Sequence, residues 1–157
     1  MELGLVWSIA GAIIVMTISG TGSSIGVAYA GQAAAGVVTE DPNKFGLMIP
    51  LVGISGTQGF YGFLIGFLVL NKLNLLGGAL KMPTIAQGIQ IFSICTFVSV
   101  VEAISAIYQG KVSVASVGVV AKRPGEAGKA LVLPIFVEIY AILGLAAGFL
   151  LLQGVRV

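Results

Sequence analysis

Glu138 is the residue whose type and surroundings most demand a chemical use. It sits within Leu131–Leu152, a run of membrane-spanning length that contains no other charged residue. An ionised carboxylate at the centre of a spanning helix costs about 2.5–3.5 kcal/mol, whereas each Leu, Ile, Phe or Val recovers only about 0.3–0.6 kcal/mol. The flanking apolar residues can carry one acid into a bilayer, but that acid needs a partner or a use. An ion carrier gives it both.

Neutral polar residues fall at a matching depth. At about 1.5 Å per residue, Gln58 stands roughly 18 Å from Gly46, Gln109 roughly 16 Å from Val120, and Glu138 roughly 14 Å from Lys129. These three loop ends are expected on one side of the membrane, which puts all three side chains near the middle of a core about 30 Å thick. Thr57 adjoins Gln58, and Tyr61 follows one helical turn later. Their oxygens suit a hard alkali cation, and a buried carboxylate supplies its charge. The plainer reading of Thr57, Gln58 and Gln109 is interhelical hydrogen-bonding glue. All of them at the depth of a lone acid favours a site.

Glu102 complicates this picture. It also lies in an apolar run, seven residues before Gln109 and so on nearly the same helix face. Two readings stay open for it, a second ion-pathway group or a protonated acid donating a hydrogen bond. Lys111, nearer the loop side, can snorkel or meet a carboxylate of a neighbouring chain.

The elements that must position these residues are hydrophobic. With 9% charged residues against the roughly 25% of a soluble domain, and a mean hydropathy of +1.08, the chain has the composition of an integral membrane protein. Four stretches reach spanning length, roughly Leu5–Val38, Phe45–Leu70, Ile85–Val120 and Leu131–Leu152. All four are expected to be helices, because lipid tolerates no unsatisfied backbone and no ten-residue alternating strands recur. The stretches that carry the polar site residues read as uninterrupted apart from Pro134. Polar breaks at 39–44, 71–81 and 121–129 contain Pro, Gly or Asn turn chemistry or charge.

Sliding the chain against itself by 82 residues, the distance from Gly36 to Gly118, reveals an internal repeat. Gly36-Val37-Val38 meets Gly118-Val119-Val120, Pro42 meets Pro124, and Gly66-Phe67-Leu68 meets Gly148-Phe149-Leu150. The expected organisation is one membrane domain made of two parallel hairpins, residues 1–76 and 77–157. Glu138 falls on Gly56 in this register, so the first hairpin lacks the acid and keeps Thr57 and Gln58 just beyond it.

The first stretch is dense in Gly, Ser and Ala between Ser19 and Gly36, which permits close backbone approach in lipid. The third has a weaker version in Gly110, Ser113, Ala115, Ser116 and Gly118. These two helices are expected inside a tightly packed assembly, with the second and fourth outside. Gly20-Thr-Gly22-Ser-Ser-Ile-Gly26 is no dinucleotide loop, since no strand precedes it and position 25 is Ile.

Other classes are excluded or disfavoured. A net charge of +2 without a basic cluster does not fit nucleic-acid binding, and no P-loop is present. No His and a single Cys95 rule out a disulfide framework or a transition-metal site within one chain. The first residues lack a basic n-region, so the first helix is expected to be retained, with Trp7 suited to the interfacial belt. Lys44, Lys122, Arg123 and Lys129 on one side outnumber Lys72, Lys81 and Arg156 on the other, which points thinly to cytoplasmic loops at 39–45 and 121–129.

Three motifs carry a family resemblance. Gly56-Thr57-Gln58-Gly59-Phe60-Tyr61-Gly62, Tyr108-Gln109-Gly110-Lys111 and Phe136-Val137-Glu138-Ile139-Tyr140-Ala141-Ile142-Leu143-Gly144 resemble the rotor-ring proteolipid of the V-type ATPases. They resemble the bacterial sodium-pumping form in particular. The resemblance covers essentially the whole chain. It implies that Glu138 is the ion-binding carboxylate, with Thr57, Gln58, Gln109 and the backbone carbonyl of Ile54 as further ligands, and Tyr61 steadying the carboxylate. Ile54 stands where Leu is familiar and Ser55 where Pro is, and Glu102 lies outside the pattern. It further implies a ring of identical subunits, a stator bearing an arginine, a central stalk, a bacterial plasma membrane, and no catalytic residue or organic cofactor in this chain. The cargo expected from the extra oxygens is Na+, with H+ as the alternative. A stand-alone carrier on the same four helices competes with this reading, whereas a purely structural proteolipid leaves Glu138 without a purpose.

Overall fold

The computed structural model describes residues 2–157. Helix α1 spans Glu2–Glu40, α2 Phe45–Gly53, α3 Thr57–Lys72, α4 Ile85–Lys122 and α5 Ala127–Gly154. A 3₁₀ turn at Ile54–Gly56 joins α2 to α3, so the two form one span, and 3₁₀ turns at Pro42–Lys44 and Pro124–Glu126 open the second and fourth spans. The resulting four spans are long and apolar enough to cross a membrane. The expected all-helical, four-span architecture is present, with α1, α4 and α5 each longer than the hydrophobic runs alone indicate.

The second span departs from expectation, because it is not continuous. Pro50 lies inside α2 and has no N–H to donate. Beyond it the backbone tightens, and the Thr57 N–H bonds the Ile54 carbonyl three residues back. Gly53, Ser55 and Gly56 are weak helix formers that yield to this tightening. Helix α5 likewise runs through its proline, Pro134, and has no 3₁₀ turn after it. The Ala130 carbonyl, four residues before Pro134, instead accepts from Ser116 Oγ of α4 at 2.8 Å. A hydroxyl from the neighbouring helix thus replaces the bond that proline removes.

Long-range contacts fix which ends lie together. Lys44 Nζ donates to the Ala121 carbonyl at 2.9 Å, tying the first break to the third. At the other end Lys81 Nζ donates to the Val157 carbonyl at 2.9 Å, and Gln87 Nε2 to that of Arg156 at 2.5 Å. Thr84 and Gln87 form a capping box that starts α4.

Helix α1 packs chiefly on α4, through glycine. Gly22 lies against Ala103, and Gly26 against Ala106 and Gly110, so closely that an added Cβ would meet backbone. Two apolar clusters fill the interior. One joins Ile65, Val69, Ile91, Val98 and Leu152, and the other joins Met48, Leu51, Val117, Val120 and Ala130. A polar layer lies between them along the spans.

Gly22→Ala should therefore lower stability by about 1–3 kcal/mol, since a methyl there forces α1 away from α4. Gly20→Ala, where a Cβ would meet nothing within 4 Å, should change it by far less. Thermal unfolding midpoints of the two variants in one detergent provide the comparison.

Candidate functional site

Three helices aim side chains into the polar layer. From α5 comes Glu138, only 8% exposed, from α3 Thr57, Gln58 and Tyr61, and from α4 Gln109. The 3₁₀ turn sets where α3 begins, and the Gly59 N–H bonds Ser23 Oγ of α1 at 2.7 Å. That bond fixes the height of α3 against the scaffold formed by α1 and α4.

The carboxylate of Glu138 collects all four side chains. Tyr61 donates its hydroxyl to Oε1 at 2.6 Å, and Gln109 Nε2 donates to Oε2 at 2.7 Å. Gln58 Nε2 donates to Oε2 at 3.1 Å and to Gln109 Oε1 at 2.5 Å. The Thr57 hydroxyl lies 2.7 and 2.9 Å from the two carboxylate oxygens and 2.9 Å from the Ile54 carbonyl. Having one proton, it donates to one of these three at a time. The second hydrogen of Gln109 Nε2 goes to the Pro134 carbonyl at 3.1 Å. Gln58 and Gln109 are fully buried, and Thr57 and Tyr61 are half-buried. Phe60, Phe63, Phe136, Tyr140 and Leu143 on the same two helices point outward as large exposed apolar side chains, as suits a lipid-facing surface.

No cation balances this charge within the described residues. The ion pairs among them are Lys44–Asp41 and Lys129–Glu126, both at the loop ends. The carboxyl group is held by neutral donors alone. The same groups can serve a cation. Amide orientation is assigned from the hydrogen-bond network, and a half-turn of each glutamine amide presents its oxygen instead of its nitrogen. The layer then offers carboxylate, hydroxyl and amide oxygens, with the Ile54 carbonyl beside Thr57.

Of the residues picked out by sequence, Thr57, Gln58, Tyr61 and Gln109 are brought onto Glu138, while Ile54 is linked to it through the Thr57 hydroxyl. Glu102 does not join them, being fully buried with neither oxygen hydrogen-bonded. Lys111 is exposed, its ammonium 4.9 Å from the centre of the Tyr108 ring. Cys95 packs in an apolar cluster, and Trp7 sets its ring edge-on to Phe92. Sequence reasoning missed Ser105, which donates to the Val137 carbonyl at 3.3 Å and lies 3.5 Å from Gln58 Nε2. Its position four residues before Gln109 was a legible signal. The roles of Ser23 and of the Pro134 carbonyl had no such signal.

Fold and site together define a membrane protein of two alike helical hairpins that share one intramembrane carboxylate. The chain belongs to the ATP synthase C-subunit family, whose model matches it twice, at residues 10–69 and 92–151. These segments are of equal length and start 82 residues apart, the offset found in the internal repeat. The chain is 37% identical over 148 residues to the V-type sodium ATPase subunit K of Enterococcus hirae, covering 94% of this chain and 91% of that one. It is 38% identical over 152 residues to the A-type ATP synthase subunit K of Methanocaldococcus jannaschii, covering 96% of this chain and 64% of that one. The chain is an integral membrane protein.

Removing one donor should loosen the carboxylate. Tyr61→Phe deletes a hydrogen bond to a charged group, worth about 1.5–3 kcal/mol, so Glu138 should react with a carboxyl-directed carbodiimide roughly tenfold faster or more. Mass mapping of the modified peptide over time measures the rate, and an unchanged rate would mean that the bond does not restrain the carboxylate.

Proposed function

We propose that this chain is the ion-carrying rotor subunit of a V-type rotary ATPase, binding Na+ at Glu138 and carrying it past a stator as a ring of identical subunits turns. The observation that carries this reading is the convergence of Thr57, Gln58, Tyr61 and Gln109 on one mid-span carboxylate with no cationic side chain beside it. Family membership and the sodium named in the Enterococcus hirae relative support it.

In this reading Glu138, Thr57, Gln58, Gln109 and the Ile54 carbonyl supply the oxygens that replace the waters Na+ leaves behind. Tyr61 keeps the carboxylate oriented. A bound ion neutralises Glu138 and lets the site pass through lipid, while an empty, ionised site resists because of its desolvation cost. That difference makes the carrier directional once a stator, with its own arginine, controls exchange. A proton needs only the carboxylate and an apolar surround, so a proton ring gives the two buried amides no comparable use. Sodium coordination does, and H+ is the alternative cargo.

The two hairpins, residues 1–76 and 77–157, act as one unit. Helices α1 and α4 line the inside of the ring, α3 and α5 face outward, and the breaks near Asn43 and Pro124 face the cytoplasm of a bacterial cell. ATP chemistry belongs to other subunits, reached through a central stalk. The 3₁₀ interruption of the second span favours one competing reading, a stand-alone carrier, because transporters place sites at broken helices.

Two measurements test the proposal. Labelling of Glu138 by carbodiimide at fixed pH should fall as Na+ is titrated; labelling that follows pH but ignores Na+ at every pH overturns the choice of ion. Native mass spectrometry of the detergent-extracted protein should give a closed ring, and a stable monomer would favour the stand-alone carrier.

A further inference from the structure

Glu102 is a second acid inside the spans, and the proposed ion site does not use it. Its side chain is 0% exposed, and neither carboxyl oxygen has a hydrogen-bond partner. It lies on α4 three residues before Ser105 and seven before Gln109, all on the buried face. On α5, Gly144 stands against it, where an added Cβ would come within 3.4 Å of Glu102 Oε1.

The helices packed around Glu102 bring it no cation. Between Glu2 and Glu40, α1 has no charged residue, and its Tyr29 is exposed. Helix α2 has none, and α3 offers Tyr61, already committed to Glu138, with Lys72 at its far end. On α5 the charged groups are Glu138 itself and Lys129, which pairs with Glu126 at the loop end, and Tyr140 is exposed. On α4, Lys122 ends the helix, and Lys111 lies nine residues beyond Glu102, which at about 100° per residue is half a turn around, on the opposite and exposed face.

The chain therefore holds one kind of acid in two surroundings. Glu138 has four neutral donors around its carboxyl group, whereas Glu102 has neither donor nor cation. A carboxylate buried without either bears the full desolvation penalty. Sodium would relieve it only with further oxygens around it, and no polar atom hydrogen-bonds to Glu102. A proton needs no such shell.

We propose that Glu102 is a proton-binding site, so that each subunit holds a proton on this carboxyl in addition to the ion at Glu138. The carboxylate takes the proton from hydronium of the bulk water: one O–H bond of hydronium breaks as the carboxyl O–H forms, leaving a neutral water and a neutral carboxyl. The functional consequence rests on the carrier reading above. With Glu102 neutral, an occupied Glu138 leaves the buried interior uncharged, and vacating it leaves one negative charge. An ionised Glu102 would leave even the loaded subunit negative and expose it to the penalty that holds back the empty one. The proton on Glu102 makes occupancy of Glu138 the only switch of charge.

Infrared absorption of the protonated carboxyl carbonyl tests this in the assembled protein, with side-chain 13C-labelled glutamate to assign the band. At neutral pH and saturating Na+, the wild-type protein should show one protonated glutamate per subunit, retained in Glu138→Gln and lost in Glu102→Gln. No protonated glutamate in the Na+-saturated wild type, or a wild-type band that Glu102→Gln leaves undiminished, overturns the proposal. Should Glu102→Gln not insert, Glu138→Gln decides alone, because Glu102 is then the one acid left within the spans: a band supports the proposal and its absence refutes it. Failure of the sodium reading would appear separately, as a second protonated glutamate in the wild type that does not respond to Na+.

Discussion

A carboxylate in a lipid-spanning bundle without a cation of its own is the constraint around which this molecule is arranged. Desolvation of Glu138 must be offset by hydrogen bonds, and helix α5 cannot supply them, because its own backbone groups are engaged in the helix. The donors come instead from Thr57, Gln58 and Tyr61 on α3 and from Gln109 on α4. Three helices are thereby held at one height, since a shift of one residue along any of them moves a donor by about 1.5 Å and breaks short bonds.

Holding that height is the task of the scaffold. Helix α1 contributes no group to the carboxylate, yet Ser23 bonds the Gly59 N–H, and Gly22 and Gly26 seat α1 against α4. Glycine is needed at those two positions because the opposing backbone occupies the space a methyl would take. The 3₁₀ turn after Pro50 adds a second adjustment, turning the start of α3 so that Thr57 reaches both Ile54 and Glu138. Both prolines lie inside helices, and at Pro134 Ser116 of α4 takes up the orphaned Ala130 carbonyl.

The duplication accounts for one site where two alike hairpins would give two. In the 82-residue register Glu138 falls on Gly56 and Glu102 on Gly20, so both intramembrane acids belong to the second hairpin. Thr57, Gln58 and Tyr61 belong to the first. The halves have become complementary, one contributing the acid and the other most of its donors, and neither makes the site alone.

The sequence by itself determined the spans, the repeat and the depth of the polar residues. These follow from composition, from period and from a constant rise per residue, which are local properties. It also separated Glu138 from the loop acids and placed Gln58 and Gln109 at its level. It did not reveal the 3₁₀ turn at Ile54–Gly56, which follows Pro50 by four residues and leaves the helix around that proline intact. Nor did it tell the two buried acids apart in kind. Glu102 and Glu138 look alike along the chain, and only packing decided that one meets four donors while the other meets none. Which side chains share a space depends on helix rotation, and that is set by the glycine contacts of α1 with α4 across roughly 80 residues of chain.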